Sequence, residues 1–154
     1  FMLRYTFDTA AGNLLRFSAS GTERHVQTDI RSLLGYGRRF RWTTSMTGDD
    51  EDASSRISLE YQFSAGAWQQ GTLRVFDSSY DTDQFTLEQR TLAPRPVQIE
   101  RRFTYGQDIS GVEAFAFRPF DWGSTQHLLG LGGEWSRAEI DELRDGERRA
   151  AAAA

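Results

Sequence analysis

The chain reads as all-β, an antiparallel meander of about six long strands that belongs to a larger transmembrane β-barrel. Three observations predict this: strict two-residue alternation in several segments, strands longer than globular proteins use, and short connections alternating with long ones. The plainest alternation is Arg56 to Ser64. Ile57, Leu59, Tyr61 and Phe63 fall on one side of an extended strand, and Arg56, Ser58, Glu60, Gln62 and Ser64 on the other. A 3.6-residue period would scatter those four apolar groups around a helix axis.

The other elements follow in order. Met2 to Thr9 alternates Leu3, Tyr5 and Phe7 against Arg4, Thr6 and Asp8. Ala10-Ala11-Gly12-Asn13 reads as a turn, because Gly and Asn tolerate positive φ. Leu14 to Ser20 returns with Leu15, Phe17 and Ala19 opposite Arg16 and Ser18, which completes a hairpin. From Gly21 to Ser54 the pattern fades into polar residues, interrupting glycines and the acidic run Asp49-Asp50-Glu51-Asp52; parts of it can extend the neighbouring strands, and the middle reads as a long loop.

After Arg56–Ser64, a tight connection at Ala65-Gly66-Ala67-Trp68 leads to a long strand over Gly71–Thr91. Leu73 and Val75 share a face there, and so does Asp77, a conflict that a bulge near Asp77 would resolve. Pro94 and Pro96 break the ladder between Leu92 and Val97, since proline has no N–H to donate. Gln98 to Phe120 is the next strand, where one choice of face sets Glu113 beside Phe115 and Phe117. Phe120-Asp121-Trp122-Gly123-Ser124 turns the chain into a last strand, His127 to Gly146, with Leu129, Leu131 and Trp135 opposite Glu134 and Ser136.

Connections at 10–13, 65–70 and 120–126 are short, whereas those near 21–54 and 91–97 are longer or rich in breakers. Each kind therefore gathers at its own end of the sheet, as in barrels with short periplasmic turns and longer extracellular loops. Trp68, Phe120 and Trp122 beside the short turns suit an aromatic girdle at one membrane interface. Strands such as 71–91 and 98–120 exceed both the usual globular length and the roughly 9–11 residues that cross hydrocarbon. In the cleanest strands Arg4, Arg16, Arg56 and Glu60 lie opposite the apolar set, as a wet lumen or the outside of a soluble sandwich would each require.

Composition narrows the classes. The 154 residues are 38% hydrophobic with no apolar run long enough for a spanning helix. There are no cysteines, so disulfides and thiolate metal sites are absent. The net charge of −4 argues against a nucleic-acid partner held by overall charge. All 18 basic residues are Arg. The chain opens on Phe1-Met2-Leu3-Arg4 without a targeting segment and closes on Ala150–Ala154. The expected organisation is a partial barrel over 1–149 followed by a poly-Ala tail over 150–154.

Arg56–Phe63, Gln84–Thr91 and His127–Gly146 carry a family resemblance. Ser55-Arg56-Ile57-Ser58-Leu59-Glu60-Tyr61 resembles a barrel strand of TonB-dependent outer-membrane receptors. So does the stretch from Ser136 to Gly146, with its Leu143-Arg144-Asp145-Gly146 ending. The nearest group is the receptors for haem, haemoglobin and transferrin, and the order of segments extends the resemblance over most of 1–149. It implies the bacterial outer membrane, a barrel of 22 strands closed by a plug domain, uptake of haem or another iron complex, TonB as partner through that plug, and contact with lipid and lipopolysaccharide. Six strands cannot close a barrel, since the smallest single-chain ones have about 8. The plug, the energy-coupling box and the Phe-Arg-Ala-Pro and Asn-Pro-Asn-Leu signatures that flank a haem-ligating His in these receptors are not found in this chain. Consequently no ligand residue is carried onto a numbered position.

Individual candidates are few. His25, near a long-loop end, offers the usual imidazole ligand for haem iron, although a lone His in a polar stretch is ordinarily a solvated side chain. His127 sits at a short turn and reads as interfacial or structural. Asp49, Asp50, Glu51 and Asp52 could supply carboxylates to Ca²⁺, but without the spaced ligands and glycine of an EF-hand they read as a solvated acidic loop. Arg38, Arg39 and Arg41, around Phe40 and Trp42, are loop charges able to meet an anionic partner such as lipopolysaccharide or a haem propionate. Glu134, Glu139, Asp141 and Glu142 lack a companion His, Cys or Ser constellation, so no catalytic residue, metal ligand or cofactor is assigned. Gly130, Gly132 and Gly133 lie in a strand pattern with no following helix, which points to close packing or a bulge rather than a dinucleotide loop. The rival reading is a small soluble antiparallel β-barrel binding an apolar ligand; an enzyme using a carboxylate pair ranks third.

Overall fold

The computed structural model describes residues 1–9, 12–92 and 95–150. Six strands, β1 (Met2–Asp8), β2 (Leu14–Asp29), β3 (Thr43–Ala65), β4 (Trp68–Leu92), β5 (Arg95–Trp122) and β6 (Thr125–Ala150), form one antiparallel sheet in sequence order. A four-residue helix, α1 (Gly37–Phe40), lies between β2 and β3. No helix among the described residues is long and apolar enough to cross a membrane.

The register of β1 on β2 follows from the alternation. Leu3 faces Ala19, Tyr5 faces Phe17 and Phe7 faces Leu15, while Arg4 faces Ser18 and Thr6 faces Arg16. A one-residue slip would bring every apolar side chain to the polar face. Of the turn expected at 10–13, Ala10 and Ala11 lie outside the described residues. Gly12 adopts φ 76°, and its N–H donates to the Thr9 carbonyl at 2.9 Å.

The connections β3–β4 (Gly66, Ala67) and β5–β6 (Gly123, Ser124) are two-residue turns. Gly66 has φ 58° and Gly123 φ 63°, and no described non-glycine residue has positive φ. Glycine with positive φ at the first central position marks the type II′ turn, whose twist matches that of the flanking strands.

In the stretch 21–54 β2 runs on to Asp29 and β3 begins at Thr43, so both neighbouring strands extend into it and the connection is its middle, 30–42. Alternation fades there because both sides of these strand ends are polar; the backbone ladder continues without it. Two expectations are corrected. First, β4 reaches Leu92 and β5 already begins at Arg95, so the strands extend into the stretch 92–97, where a break in the ladder is expected. Pro96 is the second residue of β5, a strand-start position where a missing donor is tolerated, and Pro94 lies outside the described residues. Second, β4 has no bulge at Asp77. Glu60 meets Arg74 and Ser55 meets Ser79, a step of five residues on both strands, so neither holds an extra one. Asp77 thus stays on the face of Leu73 and Val75.

Contacts divide the chain into two units: Phe1–Thr22, Ser54–Ser79 and Gln107–Glu139 form the first, and Glu23–Ala53, Tyr80–Gly106 and Ile140–Ala154 the second. Glycines in the first unit are covered by rings from the neighbouring strand. A Cβ at Gly71 would strike Phe63, at Gly130 Phe117 and at Gly132 Phe115. A Cβ at Gly111 would strike Phe76 and would also lie 2.8 Å from the Trp135 carbonyl oxygen, whereas one at Gly133 would meet nothing within 4 Å. Close packing, then, accounts for Gly130 and Gly132. Gly111→Ala is expected to destabilise by about 1–3 kcal/mol through overpacking against backbone, and Gly133→Ala to stay within about 0.5 kcal/mol of the parent. Urea midpoints of the two variants check this.

Candidate functional site

Burial in this sheet is inverted relative to a soluble domain. Among the described residues no hydrophobic side chain is buried, while Glu88 is fully buried and Thr43 and Thr82 nearly so. The inversion is visible between neighbours on β3 in the first unit: Leu59 is 41% exposed, and the Glu60 side chain 12%.

Glu60 belongs to a row of alternating charge that crosses four strands. Arg16 on β2 donates from Nη1 to Glu60 Oε1 at 2.9 Å. Arg74 on β4 donates from Nε to Glu60 Oε2 at 3.3 Å, and its Nη1 lies 3.1 Å from Glu113 Oε2 on β5. Gln62 adds a bond from Nε2 to Glu60 Oε1 at 2.8 Å. Arg56, on the same side of β3, lies over the Phe76 ring, 5.5 Å from its centroid. Because Arg74 pairs with Glu113, and Phe115 covers Gly132, the opposite face collects Ile57, Leu59, Leu73, Val75, Val112, Leu129, Leu131 and Trp135, all of them exposed. Glu113 does share its side with Phe115 and Phe117, and these rings lie over the β6 glycines.

The second unit holds a denser cluster. Glu88 Oε1 accepts from Thr43 Oγ1 at 2.5 Å and from Arg90 Nε at 2.6 Å. Its Oε2 accepts from Arg101 Nη2 at 2.8 Å and Arg90 Nη2 at 3.1 Å. Burial pushes the Glu88 carboxyl upward, but the bonds from Arg90, Thr43 and Arg101 outweigh it and hold the pKa down at about 2. Beside this cluster Gln84, Thr86, Arg101, Phe103 and Arg144 line a groove of about 460 Å³. Arg144 stacks over Phe103 at 5.3 Å and donates to Glu142 at 2.6 Å. Arg102 grips Asp83 with bonds of 2.9 and 3.1 Å from Nε, which hold the Asp83 carboxyl below its usual range. Each of these carboxylates is engaged by at least one guanidinium, an arrangement that orders a polar surface.

The sequence candidates fall as follows. His25 lies on β2 rather than in a loop, hydrogen-bonded to Asp49 of β3, which also accepts from Gln27 at 3.4 Å. The acidic run Asp49–Asp52 lies within β3, where successive side chains point to opposite faces and four carboxylates cannot converge on one ion. Asp52 instead accepts from Thr82 Oγ1 at 2.6 Å and Tyr80 at 3.3 Å. Among the described residues no three His, Cys, Asp or Glu side chains are grouped to hold a metal ion. His127 stacks on Phe120 with centroids 5.2 Å apart, lies 6.4 Å from the Trp122 ring and bonds Thr125 at 2.9 Å. Glu139 and Glu142 pair with Arg137 and Arg144 along β6. Sequence reasoning missed Glu88 and its partners; the available signal was a Glu two residues before an Arg on a strand, with further arginines at 101 and 102.

No protein-family model matches the chain, and no curated protein matches it.

Proposed function

We propose that this chain forms part of the wall of an outer-membrane β-barrel transporter of the TonB-dependent kind, contributing strands and an extracellular loop and no chemistry of its own. The observation that carries the reading is the inverted burial: the Glu60 and Glu113 carboxylates are largely covered beside half-buried Arg16 and Arg74 on one side of the first unit, and Ile57, Leu59, Leu73 and Val75 are exposed on the other. A monomer in water rarely leaves a contiguous apolar patch of that extent open. Lipid accepts one, provided the backbone is satisfied within the sheet. The strand lengths support it too, since β4 has 25 residues and β5 28, more than the roughly 9–11 that span hydrocarbon, and counted from Trp68 at the short-turn interface that span ends before Asp83 and Glu88, which lie outside the bilayer in this reading. Haem or haem-protein iron as cargo, TonB as partner through a plug domain, and lipopolysaccharide at the rim rest on the family resemblance.

The test is solubility. Expressed and refolded, the chain is expected to aggregate in detergent-free buffer and to disperse with β-type circular dichroism once detergent micelles are supplied. A monomer that melts cooperatively in plain buffer would overturn the reading and favour a closed soluble β-barrel with an apolar ligand.

A further inference from the structure

The connection 30–42 between β2 and β3 carries Arg31, Arg38, Arg39 and Arg41 and no acidic residue, in a chain of net charge −4. Arg31 is paired with Asp29 at 2.8 Å. Arg38, Arg39 and Arg41 have no carboxylate partner among the described residues. The segment is closed on itself: Leu34 N–H donates to the Arg31 carbonyl at 3.2 Å, Tyr36 N–H to Leu33 at 3.1 Å and Gly35 N–H to Phe40 at 3.0 Å, while Thr91 N–H anchors the Trp42 carbonyl at 2.8 Å. Two guanidiniums lie over neighbouring rings, Arg39 over Phe40 at 5.3 Å and Arg41 over Trp42 at 5.2 Å. Tyr36 is 72% exposed and Trp42 52%.

We infer that this connection is a docking surface for the acidic face of a protein partner. Guanidinium groups with open edges accept carboxylates in bidentate fashion. Exposed Tyr and Trp among them supply the large amphipathic anchors that carry protein interfaces, where Trp, Tyr and Arg dominate the binding energy. A phosphate polymer fits less well, because its affinity grows with the number of phosphates neutralised and this connection offers only three cations without a carboxylate partner among the described residues. The self-bonded backbone lowers the ordering cost of binding. The inference needs only this connection and is independent of whether the apolar face meets lipid.

The test uses the whole chain, in detergent micelles where they are required, with a fluorescein-labelled Glu-rich peptide containing aromatic residues as probe. Binding is expected to weaken with salt, to fall about tenfold or more in Arg38→Gln/Arg39→Gln/Arg41→Gln, and to fall again in Trp42→Ala. The doubly reversed variant Arg38→Glu/Arg41→Glu is expected to lose the acidic probe and gain a Lys-rich one, a readout that misfolding would not produce. Unchanged binding in the Gln variant, or no binding by the parent, would overturn the inference. Tighter binding of polyphosphate or of phosphatidylglycerol vesicles than of the peptide would also overturn it and assign the surface to phosphate groups.

Discussion

Leu59→Arg is expected to cost the bilayer-inserted sheet about 2–4 kcal/mol, the penalty for an Arg at a lipid-facing midplane position. Gln62→Arg is expected to cost less than about 1 kcal/mol, because Gln62 already donates to Glu60 on the charged side and a guanidinium there can keep that bond. The contrast depends on the solvent of the apolar face. In water, Leu59 is an exposed side chain, and its replacement by Arg would register within about 0.5 kcal/mol. Urea titrations of both variants in lipid vesicles read the difference directly. Equal midpoints for Leu59→Arg and the parent would remove lipid from that face and with it the transporter-wall proposal.

Glu88→Gln is expected to produce the largest loss in the second unit, about 3 kcal/mol at neutral pH. The amide keeps the shape but leaves Arg90 and Arg101 around a neutral group, and breaking one partner of a buried pair is costly. The same carboxyl predicts an acid limb. Its folded pKa of about 2 lies below the ordinary carboxylate value of 4.5, so its contribution is complete above the unfolded pKa and fades as pH falls from about 4.5 through about 2. The shift corresponds to about 3 kcal/mol. Parent and Glu88→Gln stability curves should converge across that window, since only the parent has the Glu88 carboxylate to protonate. Curves that stay parallel down to the acid end would show that Glu88 gains nothing from its arginines.

The legible part of this fold was the part with one apolar face. Ile57, Leu59, Tyr61 and Phe63 opposite Arg56 and Glu60 declared both the strand and its polarity, and Arg16 and Glu60 do meet on the side that the alternation assigned them. How far β2 and β3 extend was illegible, because Gly21–Asp29 and Thr43–Ala53 are polar on both sides, leaving no period to read. Glu88 was hidden for another reason. Its environment is completed by Thr43, 45 residues away, and Arg101, 13 residues away, and the local pairing with Arg90 does not single it out, because the same Glu-to-Arg spacing at Glu142 and Arg144 leaves the carboxylate exposed. The glycines of β6 were half legible: close packing was foreseen, but the rings of Phe115 and Phe117 come from the strand before. Asp77 showed the opposite lesson, since the apparent fault in the pattern needed no change of backbone.

The two-residue turns also govern how quickly the sheet can assemble. With Gly66-Ala67 and Gly123-Ser124 pre-set for reversal, the β3–β4 and β5–β6 hairpins can zip outward from their turns, each new rung closing almost no additional chain. The β2–β3 hairpin must first close the connection 30–42, and on the logarithmic length dependence of loop closure that costs about 2 kcal/mol more than a two-residue turn. Such a penalty slows nucleation by more than an order of magnitude. The expected kinetic order is therefore rapid formation of β3–β4 and β5–β6, with β1 and β2 joining last, and shortening the 30–42 connection would accelerate the slow phase while leaving the fast one unchanged.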